Sequence, residues 1–231
     1  MGSDNLHHKR RQRNDRSLDR SKGKKAKSRD KKILIVCEGE KTEPNYFTEA
    51  RQHYSLDTGI VEIRGDCGSD PMSIVNFAKT CYQDQRGKGD PFDQVYCVFD
   101  KDDHSTYKNA LAALSKARPK GVYITINSVP CFEYWLLLHF SDSTRPYNKL
   151  PDNSAGNQVL RQLKQYMPTY KKTQRGLFIE LLNKLEQAKC HAEHALAESE
   201  RNQTDNPSTQ VHKLIETLQK LNKAKKDRKR T

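Results

Sequence analysis

Short apolar runs near 33–37, 60–64, 94–99 and 122–127 alternate with longer stretches whose apolar residues recur at helical spacing. Strands that are apolar throughout need cover on both faces, and helical crossovers between parallel strands provide it. The alternation therefore reads as an α/β fold, with a mostly parallel four-stranded sheet flanked by helices. Pro44 suits the first turn of one helix, and Ser69-Asp70-Pro71 reads as a cap followed by Pro at the first helical position of the next. A third helix covers about 106–117, ending before Pro119 and Gly121. A fourth starts near Pro130 and runs to Phe140, apolar on nearly every side and so buried.

Beyond it, 141–170 reads as loop-rich, with Asp152-Asn153-Ser154-Ala155-Gly156 as a turn cluster. A long helical pattern follows at about 177–201, then a break at Asn206-Pro207-Ser208-Thr209 and a final helix from about Thr209 to Leu221. Residues 33–140 thus form the α/β domain, and 141–221 form a mostly helical C-terminal extension packed on it.

A chain of 231 residues suits one domain with appendages. Residues 1–32 hold 13 Lys or Arg against four Asp, a net of +9, and 220–231 hold seven against one, a net of +6. Subtracting that +15 from the whole-chain +13 leaves 33–219 at −2. The N-terminal segment is too polar to build a core and reads as a disordered basic tail, with a second basic tail at 222–231. Basicity gathered in such segments gives salt-sensitive attraction to phosphate, which suggests a nucleic acid or another polyanion as partner; a merely solvated tail is the alternative. The N-terminus lacks the apolar core of a secretory signal and no apolar run is long enough for a membrane span, so a cytoplasmic protein without membrane contact is expected. The six cysteines, at 37, 67, 81, 97, 131 and 190, form no CxxC pair and read as reduced thiols.

Two of the apolar runs end in acids: Glu38-Gly39-Glu40 after the first, and Asp100-Lys101-Asp102-Asp103 after the third. In open α/β sheets ligands gather at the carboxyl ends of parallel strands, and right-handed crossovers bring those ends to one edge. Glu38, Asp100 and Asp102 then meet despite about sixty residues of separation, and Glu133, at the start of the fourth helix, reaches the same edge. Crowded acids repel unless a cation neutralises them, and a hard, oxygen-preferring ion such as Mg²⁺ or Mn²⁺ suits that role. Asp103 is either a further ligand or a helix cap, and Glu40 and Glu43 compete for the same roles. Lys41 and Lys101 are placed to neutralise transition-state charge, or merely to offset neighbouring acids. Gly39 would let the backbone approach a phosphate closely. His139 shares a helical face with Phe132 and is either a core histidine or a proton carrier, while His104 follows the acids as a candidate substrate contact. His191 and His194 have metal-compatible spacing but no matching second pair.

Four blocks carry a resemblance: Ile33 to Phe47 (ILIVCEGEKTEPNYF), Phe99 to His104 (FDKDDH), Pro130 to Phe140 (PCFEYWLLLHF) and Asn206 to His212 (NPSTQVH). In this order they resemble the RloB-like family, which is associated with restriction and phage-defence loci, often beside an ATPase, and looks related to the Toprim fold. The resemblance implies that Glu38 matches the Toprim glutamate after the first strand, and Asp100 and Asp102 its Asp-x-Asp. It further implies that the aspartates hold Mg²⁺ while the glutamate binds metal or moves protons. Because the chain has no Walker A motif, an ATPase activity would belong to a partner. The implied function is a metal-dependent nuclease acting on RNA, tRNA among it, or DNA. A non-catalytic nucleic-acid-binding, sensor or assembly subunit is the alternative, and a homo-oligomer stays open.

Overall fold

The computed structural model describes residues 30–68, 70–102 and 104–230. Strand β1 (Ile33–Cys37) is buried at all five positions. It lies inside the sheet, paired in parallel with β2 (Val61–Arg64) on one side and β3 (Gln94–Asp100) on the other. Parallel β4 (Tyr123–Val129) follows β3, and with β5 (Ser208–Thr209) at the edge the strand order is β2-β1-β3-β4-β5.

Alternation along these strands divides the core. On one face Ile33, Ile35, Cys37, Val98 and Ile126 pack with Tyr46, Phe47 and Ala50 of α1 (Thr42–His53) and with Phe132 and Trp135 of α4 (Phe132–Leu137). On the other face Leu34, Val36, Val95, Cys97 and Phe99 meet Ile74, Val75 and Ala78 of α2 (Pro71–Gly87) and Ala110 and Leu114 of α3 (Tyr107–Ser115). Each such fully buried large side chain contributes roughly 1.5–3 kcal/mol relative to exposure. Asp70 caps α2, accepting hydrogen bonds from Met72 N and Ser73 N, with Pro71 at the first helical position.

The α/β class and the parallel strands are as expected, but the sheet has five strands, not four. The fifth, β5 (Ser208–Thr209), runs antiparallel to β4 through Ser128↔Thr209 and Val129↔Ser208. Two polar residues carry no hydrophobic period, so nothing in them marks a strand. The expected loop at 141–170 contains a twelve-residue helix, α5 (Ala155–Tyr166), capped by Ser154, with Val159 and Leu163 fully buried. Its Gly156 and polar flanks mask a short apolar stripe. The long pattern at 177–201 is interrupted: α6 (Leu177–Leu181) passes through a 3₁₀ turn (Leu182–Lys184) into α7 (Leu185–Arg201).

The last helix, α8, spans Val211–Arg230, so the segment expected as a C-terminal tail continues a helix whose Leu214, Ile215 and Leu218 join the core. Residues 1–29 of the expected N-terminal tail lie outside the described residues. All six cysteines are free. Among the described residues no helix is long and apolar enough to cross a membrane.

Candidate functional site

The register places Cys37 beside Val98, so the chains leaving β1 and β3 run side by side. Glu38 N donates to Val98 O at 3.1 Å, and the Glu38 side chain reaches across to accept the Asp100 N–H at 2.8 Å on Oε2. Its Oε1 lies 2.9 Å from His104 Nε2, so His104 orients this acid. Asp100 in turn accepts the Phe132 N–H at 3.0 Å, tying the end of β3 to the start of α4. Glu133, the next residue, is 3% exposed.

Glu43 joins them from the first turn of α1 and is 7% exposed. A side chain built on Gly39 would place its Cβ 2.9 Å from the Glu43 carboxylate, so the bare glycine makes room for the inward turn of Glu43. Gly39 was expected to admit a phosphate; here it admits an acid.

Burial is the first cause of the abnormal acidity of this group. It pushes Asp100 well above the usual carboxylate range, and the charges of Glu43, Glu133 and Glu38 add to it against the Phe132 hydrogen bond. Glu43 is raised to about 7 by burial and then by Glu133 and Glu38, with Lys172 opposing. Glu38 is raised by burial, while the Asp100 N–H and His104 pull the other way. Carboxylates that raise one another are relieved by added positive charge.

Asp102 is exposed and stands at φ 29°, in left-handed space that aspartate tolerates better than most residues. Its N–H donates to Pro130 O at 3.1 Å. Its carboxylate lies near the first turn of α5, 4.0 Å from a Cβ built on Gly156, and its charge also raises Glu38.

The other expected residues separate from this group. Lys101 pairs with Asp205 at 2.6 and 2.8 Å, and Lys41 is exposed ahead of α1. Asp103 lies outside the described residues. His139 has no exposed surface and bonds the Trp135 carbonyl through Nδ1, so in this conformation it does not meet a substrate. His191 and His194 bond to different groups, the Leu138 carbonyl and Asp142.

Two residues absent from the sequence reading enter the site from the segment after α5. Tyr170 OH donates to Glu133 Oε1 at 3.2 Å, and Lys172 Nζ lies 3.4 Å from the same oxygen. Nothing in a loop of Thr, Lys and Gln advertises them. Glu43, by contrast, was visible in the acid run but read as a competitor, because first-turn acids are commonly solvent-facing.

The donors fit a hard divalent ion in kind, being carboxylates of adjacent strand ends whose mutual repulsion such an ion relieves. As they stand, no three His, Cys, Asp or Glu side chains among the described residues form a metal-holding group. Glu38 gives both oxygens, and Asp100 one, to hydrogen bonds or ion pairs within the protein.

No curated protein and no solved structure matches the chain. The profile of the RloB-like proteins matches residues 33–218, spanning every strand and the acids at their ends, and the chain belongs to that family.

Proposed function

We propose that this RloB-like protein is a divalent-metal-dependent nuclease hydrolysing phosphodiesters of RNA, tRNA among its candidate substrates, or of DNA. It would act in antiphage defence beside an ATPase partner. The observation that carries the reading is the 2.8 Å hydrogen bond from Asp100 N to Glu38, which holds acids from two adjacent parallel strand ends against one another.

Glu38, Asp100 and Asp102 would hold Mg²⁺ or Mn²⁺. Such an ion, when bound, supplies a Lewis acid for a phosphoryl oxygen and lowers the pKa of a water. His104 fixes the Glu38 carboxylate for that task. Glu43, raised to about 7, is suited to take up or release a proton at neutral pH. On the helices that carry Glu43 and Glu133, Tyr46, Phe132 and Trp135 are buried, with Tyr46 edge-on to Phe132. Resemblance to Toprim nucleases and membership of the family support the reaction class; the defence role and ATPase partner come from the resemblance alone.

The test is incubation of purified protein with labelled RNA, tRNA and DNA in Mg²⁺ or Mn²⁺. Glu38→Gln and Asp100→Asn are each expected to lower cleavage by more than ~10²-fold with unchanged circular dichroism. Cleavage that survives both substitutions would place the chemistry elsewhere. Nucleic-acid binding without metal-dependent cleavage of any of the three would identify a non-catalytic subunit instead.

A further inference from the structure

Residues 167–176, between α5 and α6, pass the acid group and are tied to α1 at their middle and far end. Tyr170 N bonds Met167 O at 3.0 Å, and the Thr42 hydroxyl donates to the Lys172 carbonyl, tying the middle of the segment to the start of α1. At its far end Glu49 of α1 accepts Gly176 N at 2.6 Å and Phe178 N at 2.9 Å. This is therefore a held strap.

Two strap residues meet one buried acid. Glu133 Oε1 takes the Tyr170 hydroxyl at 3.2 Å and lies 3.4 Å from Lys172 Nζ. The lysine side chain is 67% exposed while Glu133 is buried, so the pair joins the acid interior to solvent. Burial works against the Lys172 charge, yet Glu133 and then Cys131 outweigh it and raise the lysine's pKa, keeping the ammonium charged. Thr169, Lys171 and Thr173, which alternate with Tyr170 and Lys172, line with Gln174 a separate surface cavity of about 380 Å³ that Lys172 does not line. The exposed Lys172 ammonium, held at the edge of the acid group, is a donor suited to phosphate oxygens.

We propose that Lys172 contacts a backbone phosphate of the nucleic acid at this site, and that Glu133, with Tyr170, is a positioning residue that aims Lys172. This rests on the nuclease reading and deepens it. Glu133 was expected as a catalytic acid beside the metal ligands; here its Oε1 is already engaged by a phenol and an ammonium, which is the arrangement of a residue that orients a cation. A lysine acts on phosphate as a point charge with rotatable donors, so an arginine at the same position keeps much of the interaction.

The experiment uses the full chain and a short fluorescein-labelled single-stranded RNA, with Ca²⁺ replacing Mg²⁺ so that binding is read without cleavage. Lys172→Ala is expected to weaken binding ~10-fold or more, the loss of one charged hydrogen bond. Lys172→Arg should recover most of it. Lys164→Ala, which removes the same charge from an exposed position on α5, should stay within about twofold at matched salt. Glu133→Gln should match Lys172→Ala, with the double variant no weaker than either single one. Calorimetry with Mn²⁺ should give Glu133→Gln the wild-type heat.

RNA binding by Lys172→Ala equal to wild type overturns the proposal even if Glu133→Gln fails to fold. Loss of Mn²⁺ binding in a folded Glu133→Gln also overturns it, by making Glu133 a ligand. Lys172-dependent binding by a wild-type protein that never cleaves leaves this inference standing and removes the nuclease reading.

Discussion

His139 packs its ring edge-on against Trp135, bonds the Trp135 carbonyl, and leaves Nε2 buried without a partner. Burial lowers its pKa from 6.5 to about 4. The unfolded chain therefore takes up a proton at this ring as pH falls through 6.5, while the folded chain does not until about 4. The contribution to stability is complete above the unfolded value and is lost as the medium acidifies, by about 2 kcal/mol at about pH 5. Urea unfolding of wild type and His139→Phe at about pH 7 and about pH 5 checks this. Wild type should lose about 2 kcal/mol more than the variant between the two conditions. An identical loss in both would show that the ring titrates freely. Helical spacing alone left this histidine open between core residue and proton carrier, because periodicity assigns a face and not the depth at which a ring is buried.

Among the elements, the loop leaving β1 is held from below by the loop leaving β2. A Cβ on Gly65 would stand 2.5 Å from the Gly39 carbonyl oxygen and 2.5 Å from Pro44 Cγ, contacts closer than atoms allow. Gly65→Ala must therefore push the turn that carries Glu38, at a cost of about 1–3 kcal/mol. A fall in melting temperature together with weaker Mn²⁺ binding is the expected result. An alanine variant with wild-type values of both would show the two loops to be independent.

Elements of this kind are readable to different depths. Strands β1 and β3 stood out as apolar runs too short for a buried helix, β2 and β4 as short stretches in which β-branched residues alternate with polar ones, and α2 because Asp70 and Pro71 mark its start. Helix α5 did not, since its cap and first turn sit inside a turn cluster and only two of its residues are deeply buried. Strand β5 exists by pairing with β4, a long-range event that two residues cannot encode. The same limit applies to the site. Glu38, Asp100 and Asp102 follow from strand ends, whereas Tyr170 and Lys172 arrive on a strap whose course depends on Thr42 and Glu49, more than a hundred residues away in sequence.

For the whole molecule, charge is divided between a slightly acidic body and basic flanks. The C-terminal flank is part of α8, and Lys225 ties it back to Ser55 O and Asp57 at 2.7 and 2.8 Å. On the proposed nuclease reading, long-range attraction to phosphate would come from the flanks, while the acids at the ends of β1 and β3 would repel a polyanion unless a cation intervened. A bound divalent ion would reconcile those opposed tendencies, so the proposed function stands or falls with metal binding. Calorimetric titration of metal-free protein with Mn²⁺ at neutral pH addresses it directly, with Asp100→Asn as the comparison. Saturable heat in wild type that is lost in a folded Asp100→Asn is expected; no binding in wild type, or undiminished binding in the variant, would show that these acids do not hold the ion.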